Sequence, residues 1–123
     1  MTKTFKILVV DDDALASFIQ KKALTALGYE VVLSNNAVSI ISLTETLQPD
    51  LIIMDHNMPL VSGLEATKLL KAHSPTAAIP LIYFSSALDI EQLARQAGAD
   101  AFVSKADSKD HMAQVIALLL AGR

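Results

Sequence analysis

A chain of 123 residues, 52% hydrophobic and 19% charged, has the size of one compact domain and enough apolar mass to bury a core. Ten basic against thirteen acidic residues give a formal net charge of −3, and no basic cluster exceeds the pair Lys21-Lys22, which argues against nucleic-acid binding. There is no cysteine for disulfide or thiolate chemistry. No apolar run reaches the about 20 residues of a membrane span, and Met1-Thr2-Lys3-Thr4 leads into a strand without a signal-like segment, so a cytoplasmic location without membrane contact is expected.

Strand and helix patterns alternate five times along the chain, with short polar connections. Lys6 to Val10 is a short apolar run that reads as a strand. Ala14 to Leu27 carries Leu15, Phe18, Ile19, Ala23, Leu24 and Leu27 as the inward stripe of an amphipathic helix, stopped by Gly28. Glu30 to Leu33 is a second strand, Ser34-Asn35-Asn36 a turn and cap signal, and Ala37 to Leu47 a helix with Val38, Ile41 and Leu47 facing inward, ended by Pro49. The third strand is Leu51 to Met54, and the third helix runs from near Gly63 to about Ala72, where Ser74-Pro75 breaks it. Leu81 to Phe84 follows Pro80 as the fourth strand, and Ile90, Leu93 and Ala97 mark the fourth helix, capped by Gly98. Ala101 to Val103 is a fifth strand, and Asp107 or Ser108 caps a last helix in which Met112, Val115, Ile116 and Leu119 read as core.

This rhythm is that of a doubly wound α/β fold, in which right-handed crossovers bring every strand's C-terminal end to one edge. Asp11, Asp12, Asp55, Ser85 and Lys105 all fall on that edge. Clustered carboxylates repel, so such a pocket is tolerable at neutral pH when solvated, partly protonated or neutralised, and a divalent metal is the first candidate. Each residue alone has an ordinary reading: a solvated turn for the aspartates with Asp13 as a helix cap, a turn residue before Pro59 for Asp55, a loop lysine for Lys105. It is their coincidence on one edge that argues for chemistry. His56, His73 and His111 are expected to have no catalytic role.

On these residues the chain resembles the receiver domain of two-component response regulators, over nearly its whole length. Asp11-Asp12 after the first strand is similar to the family's acidic pair, and Asp55-His56-Asn57-Met58-Pro59 with Gly63 is similar to its phosphoacceptor motif. Ser85 stands where the family has Ser or Thr, Phe102 where it has an aromatic switch residue, and Lys105 where it has a lysine. The resemblance implies a flavodoxin-like (βα)5 fold with a five-stranded parallel sheet of order 2-1-3-4-5, and a single receiver domain over residues 1–123 with no output domain.

It further implies a switch rather than a turnover enzyme, one that takes a phosphoryl group on Asp55 from a sensor histidine kinase or histidine phosphotransfer protein. The implied cofactor is Mg2+ or Mn2+, held by Asp12, Asp55, the Asn57 carbonyl and, through water, Asp11. Lys105, Ser85 and the Ser86 backbone would bind the phosphoryl oxygens. Ser85 and Phe102 would then switch the surface of the fourth helix, fifth strand and last helix toward a downstream protein target, with a phosphorylation-dependent dimer as a further expectation. Small Ala87 beside Ser85 implies self-hydrolysis. The alternative is a pseudo-receiver, a constitutive interaction module with an unused pocket; an aspartyl-nucleophile phosphohydrolase would need a covering insertion for which the chain has no room.

One residue departs from the family pattern. Ala106 follows the lysine where the family usually carries a proline, often after a cis bond. A cis Lys105-Ala106 bond costs about 3–4 kcal/mol, so either local contacts hold it or the loop runs trans and seats Lys105 differently.

Overall fold

The computed structural model describes residues 3–123; Met1 and Thr2, read above as leading into the first strand, lie outside the described residues. Five strands, β1 (Lys6–Val10), β2 (Glu30–Ser34), β3 (Leu51–Asp55), β4 (Leu81–Ser85) and β5 (Ala101–Ser104), form one parallel sheet in the order β2-β1-β3-β4-β5. The helices are α1 (Ala14–Ala26), α2 (Ile40–Leu47), α3 (Gly63–Ala72), α4 (Ser74–Ala77), α5 (Ile90–Ala97) and α6 (Lys109–Leu120). None is long and apolar enough to cross a membrane.

The central strands are continuous apolar runs because both of their faces are covered. Ile7, Val9, Ile53, Ile82 and Val103 point to one side and pack with Leu24 of α1 and Met112, Ile116 and Leu120 of α6. Their neighbours Leu8, Val10, Ile52, Met54 and Leu81 point to the other, against Ile40 of α2 and Ala66 and Leu70 of α3. Tyr83 heads a smaller cluster with Ile90, Ala94 and Ala97 of α5.

Three local expectations are corrected. The apolar residues Leu15, Phe18, Ile19 and Leu27 face solvent, Leu15 being 67% and Phe18 55% exposed, while Ser17 and Leu24 are buried. The orientation is set at the helix start, where Asp13 accepts from the amides of Leu15 and Ala16 and the Ser17 hydroxyl donates to the Asp11 carbonyl at 3.3 Å, turning Ser17 toward the sheet. Helix α2 starts at Ile40 rather than Ala37 because Asn36 Oδ1 accepts the Val38 amide at 3.0 Å, an Asx turn that competes with helix, and Val38 is left exposed. Pro75 is not only a stop: it occupies the first turn of α4, where its missing N–H is no loss. The helix expected fourth is therefore α5 and the last is α6.

Gly28 and Gly98 end α1 and α5 with φ of 96° and 84°, a conformation that side chains with a Cβ adopt only under strain. Register then fixes the functional edge: Val10 pairs with Met54, Asp55 with Phe84, and Ser85 with Ser104. The residues that leave β1, β3, β4 and β5 at that edge are the polar ones singled out by sequence.

Candidate functional site

Asp11 leaves β1 buried, and every acceptor it carries is engaged. Its Oδ1 accepts the Asp13 amide at 2.9 Å, its Oδ2 takes the Lys105 ammonium at 3.1 Å, and its carbonyl takes the Ser17 hydroxyl. Asp13 serves as the N-cap of α1, as its position suggested. Asp12, between them, is exposed. Carboxylate oxygens of Asp11, Asp12 and Asp55 lie within 4.8 Å of one another.

Asp55 ends β3, nearly buried, with its Oδ1 3.0 Å from Lys105 Nζ. Lys105 thus bridges Asp55 and Asp11, while its backbone amide donates to the Ser85 carbonyl at 2.9 Å. Among the described residues no peptide bond is cis. The loop after β5 takes the trans path, and from it the lysine reaches the acid pocket.

The electrostatics follow from crowding. Burial, reinforced by the Asp11 carboxylate, holds the Asp55 carboxyl above its usual range, against the lowering effect of Lys105 and of the neighbouring His56 amide. Burial alone would lower the Lys105 ammonium, but its hydrogen bonds to Asp55 and Asp11 outweigh it and raise the pKa. The ammonium also lies 5.5 Å from the Phe84 ring centroid.

Ser85 is buried and its Oγ accepts the Ala87 amide at 3.1 Å, which leaves the hydroxyl proton free to donate elsewhere. Ser86 and Asn57 are exposed in the loops after β4 and β3. Phe102 lies outward on β5, 40% exposed.

Two contacts escaped the sequence reading. The ring of His56, the residue after Asp55, bonds through Nδ1 to the hydroxyl of Tyr83, a phenol that is fully buried and whose pKa is pushed up to about 12 by burial and then by the carboxylates of Asp55 and Asp89. Strand periodicity carries the signal: Met54 pairs with Tyr83, so His56, two residues on, shares its face. Gly63 was placed only by its offset from Asp55. A Cβ there would come within 1.9 Å of the Asp55 carbonyl oxygen, so only glycine lets the start of α3 approach the Asp55–His56 peptide. His73 pairs with Glu45 at 2.8 Å and His111 lies 3.8 Å from Asp107, both away from the acids.

The family model for the response regulator receiver domain matches residues 7–117. The polar-differentiation response regulator DivK of Brucella anthropi is 36% identical over 102 residues, covering 80% of this chain and 82% of that protein. The signal receiver domain of a signal transduction histidine kinase from Syntrophus aciditrophicus superposes with a TM-score of 0.89 at 27% identity, over 97% of this chain and 92% of that one. The receiver domain of sensor histidine kinase PA1611 from Pseudomonas aeruginosa PAO1 shares the fold at a TM-score of 0.88 and 21% identity, over 98% of this chain and 100% of that one, and was solved with a magnesium ion coordinated in its active-site cleft. With the strand order, the acid pocket and its lysine in place, the chain belongs to the response regulator receiver domain family.

Proposed function

We propose that this chain is a phosphorylation-dependent switch in which Asp55 accepts a phosphoryl group from a sensor histidine kinase or histidine phosphotransfer protein. The observation that carries this reading is the bridge from Lys105 to Asp55 and Asp11 beside an exposed third carboxylate, Asp12. An oxygen-only donor set suits a hard cation, Mg2+ or Mn2+. Three carboxylates facing one ammonium leave two negative charges, which one such ion would neutralise. Asp12 and Asp55, with the Asn57 carbonyl, would hold it directly, and Asp11, already committed to Lys105, through water. When bound, the ion supplies charge neutralisation between Asp55 and the incoming phosphoryl oxygens.

A carboxylate oxygen of Asp55 attacks phosphorus in line with the leaving group. The P–O bond forms as the P–N bond of the donor phosphohistidine breaks, and the imidazole nitrogen leaves with the electron pair. Lys105 turns from Asp55 to a phosphoryl oxygen, and the Ser85 hydroxyl and Ser86 amide donate to the others. Movement of Ser85 opens space for the Phe102 ring to turn inward, changing the surface of α5, β5 and α6 that a downstream protein reads. A cytoplasmic location, a single receiver domain over the whole sequence, self-hydrolysis promoted by small Ala87 and dimerisation on phosphorylation belong to the same proposal.

The test is incubation with Mg2+ and acetyl phosphate followed by intact mass measurement. A gain of one phosphoryl group that disappears in Asp55→Asn is expected. Unchanged mass in the wild-type protein would leave a constitutive interaction module in place of a switch.

A further inference from the structure

His56, the residue that follows Asp55, is held on two sides. Its carbonyl accepts the Gly63 amide at 2.9 Å, and its ring bonds to the Tyr83 hydroxyl. Tyr83 is fully buried in a cluster with Ile90, Ala94 and Ala97 of α5, against which Leu64 of α3 also packs. The His56 and Tyr83 ring centroids lie 5.7 Å apart. A buried phenol needs a partner, and among the described residues His56 is the one its hydroxyl finds.

We propose that Tyr83, acting through His56, is a positioning residue for Asp55, and that the pair forms a strut tying the phosphoacceptor turn to α5. This rests on the reading of Asp55 as phosphoacceptor. The strut runs beside the Ser85 and Phe102 route, since Tyr83 lies two residues before Ser85 on β4 and pairs with Phe102 across β4 and β5, but it starts at the residue next to Asp55 and ends in the packing cluster of α5 rather than at the surface of β5.

The physical reason for a positioning role is the narrow geometry of in-line attack. A reacting carboxylate displaced by a fraction of an ångström loses much of its effective concentration against the donor. With the Tyr83 hydroxyl removed, the His56 ring has no fixed partner and His56 keeps only the bond from the Gly63 amide. With the strut in place, any shift of His56 when Asp55 gains a phosphoryl group is delivered to Tyr83 and thereby to α5.

The test uses acetyl phosphate and saturating Mg2+, with Asp55 phosphorylation followed by intact mass. Tyr83→Phe is expected to lower the maximal rate about three- to tenfold with the half-saturating donor concentration unchanged. His56→Leu should match it, and His56→Asn, which keeps a polar atom near the position of Nδ1, should recover the rate to within about twofold. The chain holds two tyrosines and no tryptophan, so a Tyr29→Phe background leaves Tyr83 as its one fluorophore. With Phe102, its partner across β4 and β5, also replaced by alanine, its emission should change on adding Mg2+ with beryllofluoride, and His56→Leu should abolish the change. Wild-type rates in both Tyr83→Phe and His56→Leu, or an emission change that survives His56→Leu, overturn the strut while leaving Asp55 as phosphoacceptor. A wild-type protein that takes no phosphoryl group overturns both.

Discussion

Lys105 reaches Asp55 at 3.0 Å through a loop whose Lys105–Ala106 bond is trans. The lysine is seated by its own backbone, whose amide bonds the Ser85 carbonyl at the end of the neighbouring strand, and the residue after it does not need to be proline. Lys105→Ala leaves three carboxylates without their ammonium. Its phosphorylation rate should fall by about 10²-fold, and Lys105→Arg should recover little because a forked guanidinium does not replace a point charge shared between two acids. Rates from acetyl phosphate measured at saturating Mg2+ check this.

Asp55 should make the fold less stable at neutral pH. Its carboxyl is held above 3.8 in the folded protein by burial first and by Asp11, so the folded state binds the proton more tightly than the open chain. The ionised group therefore opposes folding in full above the folded pKa, and the opposition fades as pH falls toward 3.8. In EDTA at pH 7, Asp55→Asn should raise the thermal midpoint by a few degrees, with the gain shrinking on acidification and gone at the unfolded pKa. A midpoint difference independent of pH would contradict the assignment.

Mg2+ should stabilise the wild-type protein and do so through Asp12. A ligand present at about 100 times its dissociation constant adds about 2.7 kcal/mol. Thermal scans with Mg2+ and then with EDTA should show the gain and its reversal. Asp12→Ala removes the exposed carboxylate of the cluster and should lose most of the gain while keeping the EDTA midpoint near wild type.

Gly63→Ala places a methyl where the Asp55 carbonyl stands, with a contact of 1.9 Å to the oxygen and 2.8 Å to its carbon. Backbone, not a flexible side chain, has to give way. A loss of about 1–3 kcal/mol from overpacking is expected, together with weaker Mg2+ binding because Asp55 moves. Chemical denaturation and Mg2+ titration on the same variant separate the two effects.

The outward stripe of α1 predicts a reversal of the usual ranking of apolar residues. Leu24→Ala, in the buried cluster with Val9 and Ile116, should cost about 2–5 kcal/mol. Leu15→Ala, on the solvent side, should stay within about 0.5 kcal/mol of wild type. Urea midpoints for the pair give the answer directly.

The strands and their order of residues at the functional edge were legible because a parallel strand covered on both faces has to be apolar throughout, and the first polar residue after it marks the edge. Asp11, Asp55 and Ser85 all follow that rule, and Lys105 lies just past β5. The rotation of α1 was not legible. Leu15, Phe18 and Ile19 form as good an apolar stripe as any, and what turns them outward is a hydroxyl, Ser17, bonding back to Asp11. Pro75 was read as a terminator although the same residue suits the first turn of a helix. The His56–Tyr83 bond was within reach of a two-residue periodicity argument, but only once Met54 and Tyr83 are known to be partners across β3 and β4.

The bond from Lys105 to Asp11 joins residues 94 positions apart, from the last strand to the first. An acid pocket of this kind is complete only when the first and the last strand have both docked into the sheet, and contacts between residues so far apart in the chain carry a loop-closure cost that local contacts do not. A partly folded chain with β5 still free would display its carboxylates without the cation that tempers them. Competence at Asp55 should therefore require the assembled five-stranded sheet, and recovery of donor reactivity during refolding should trail the appearance of helical signal.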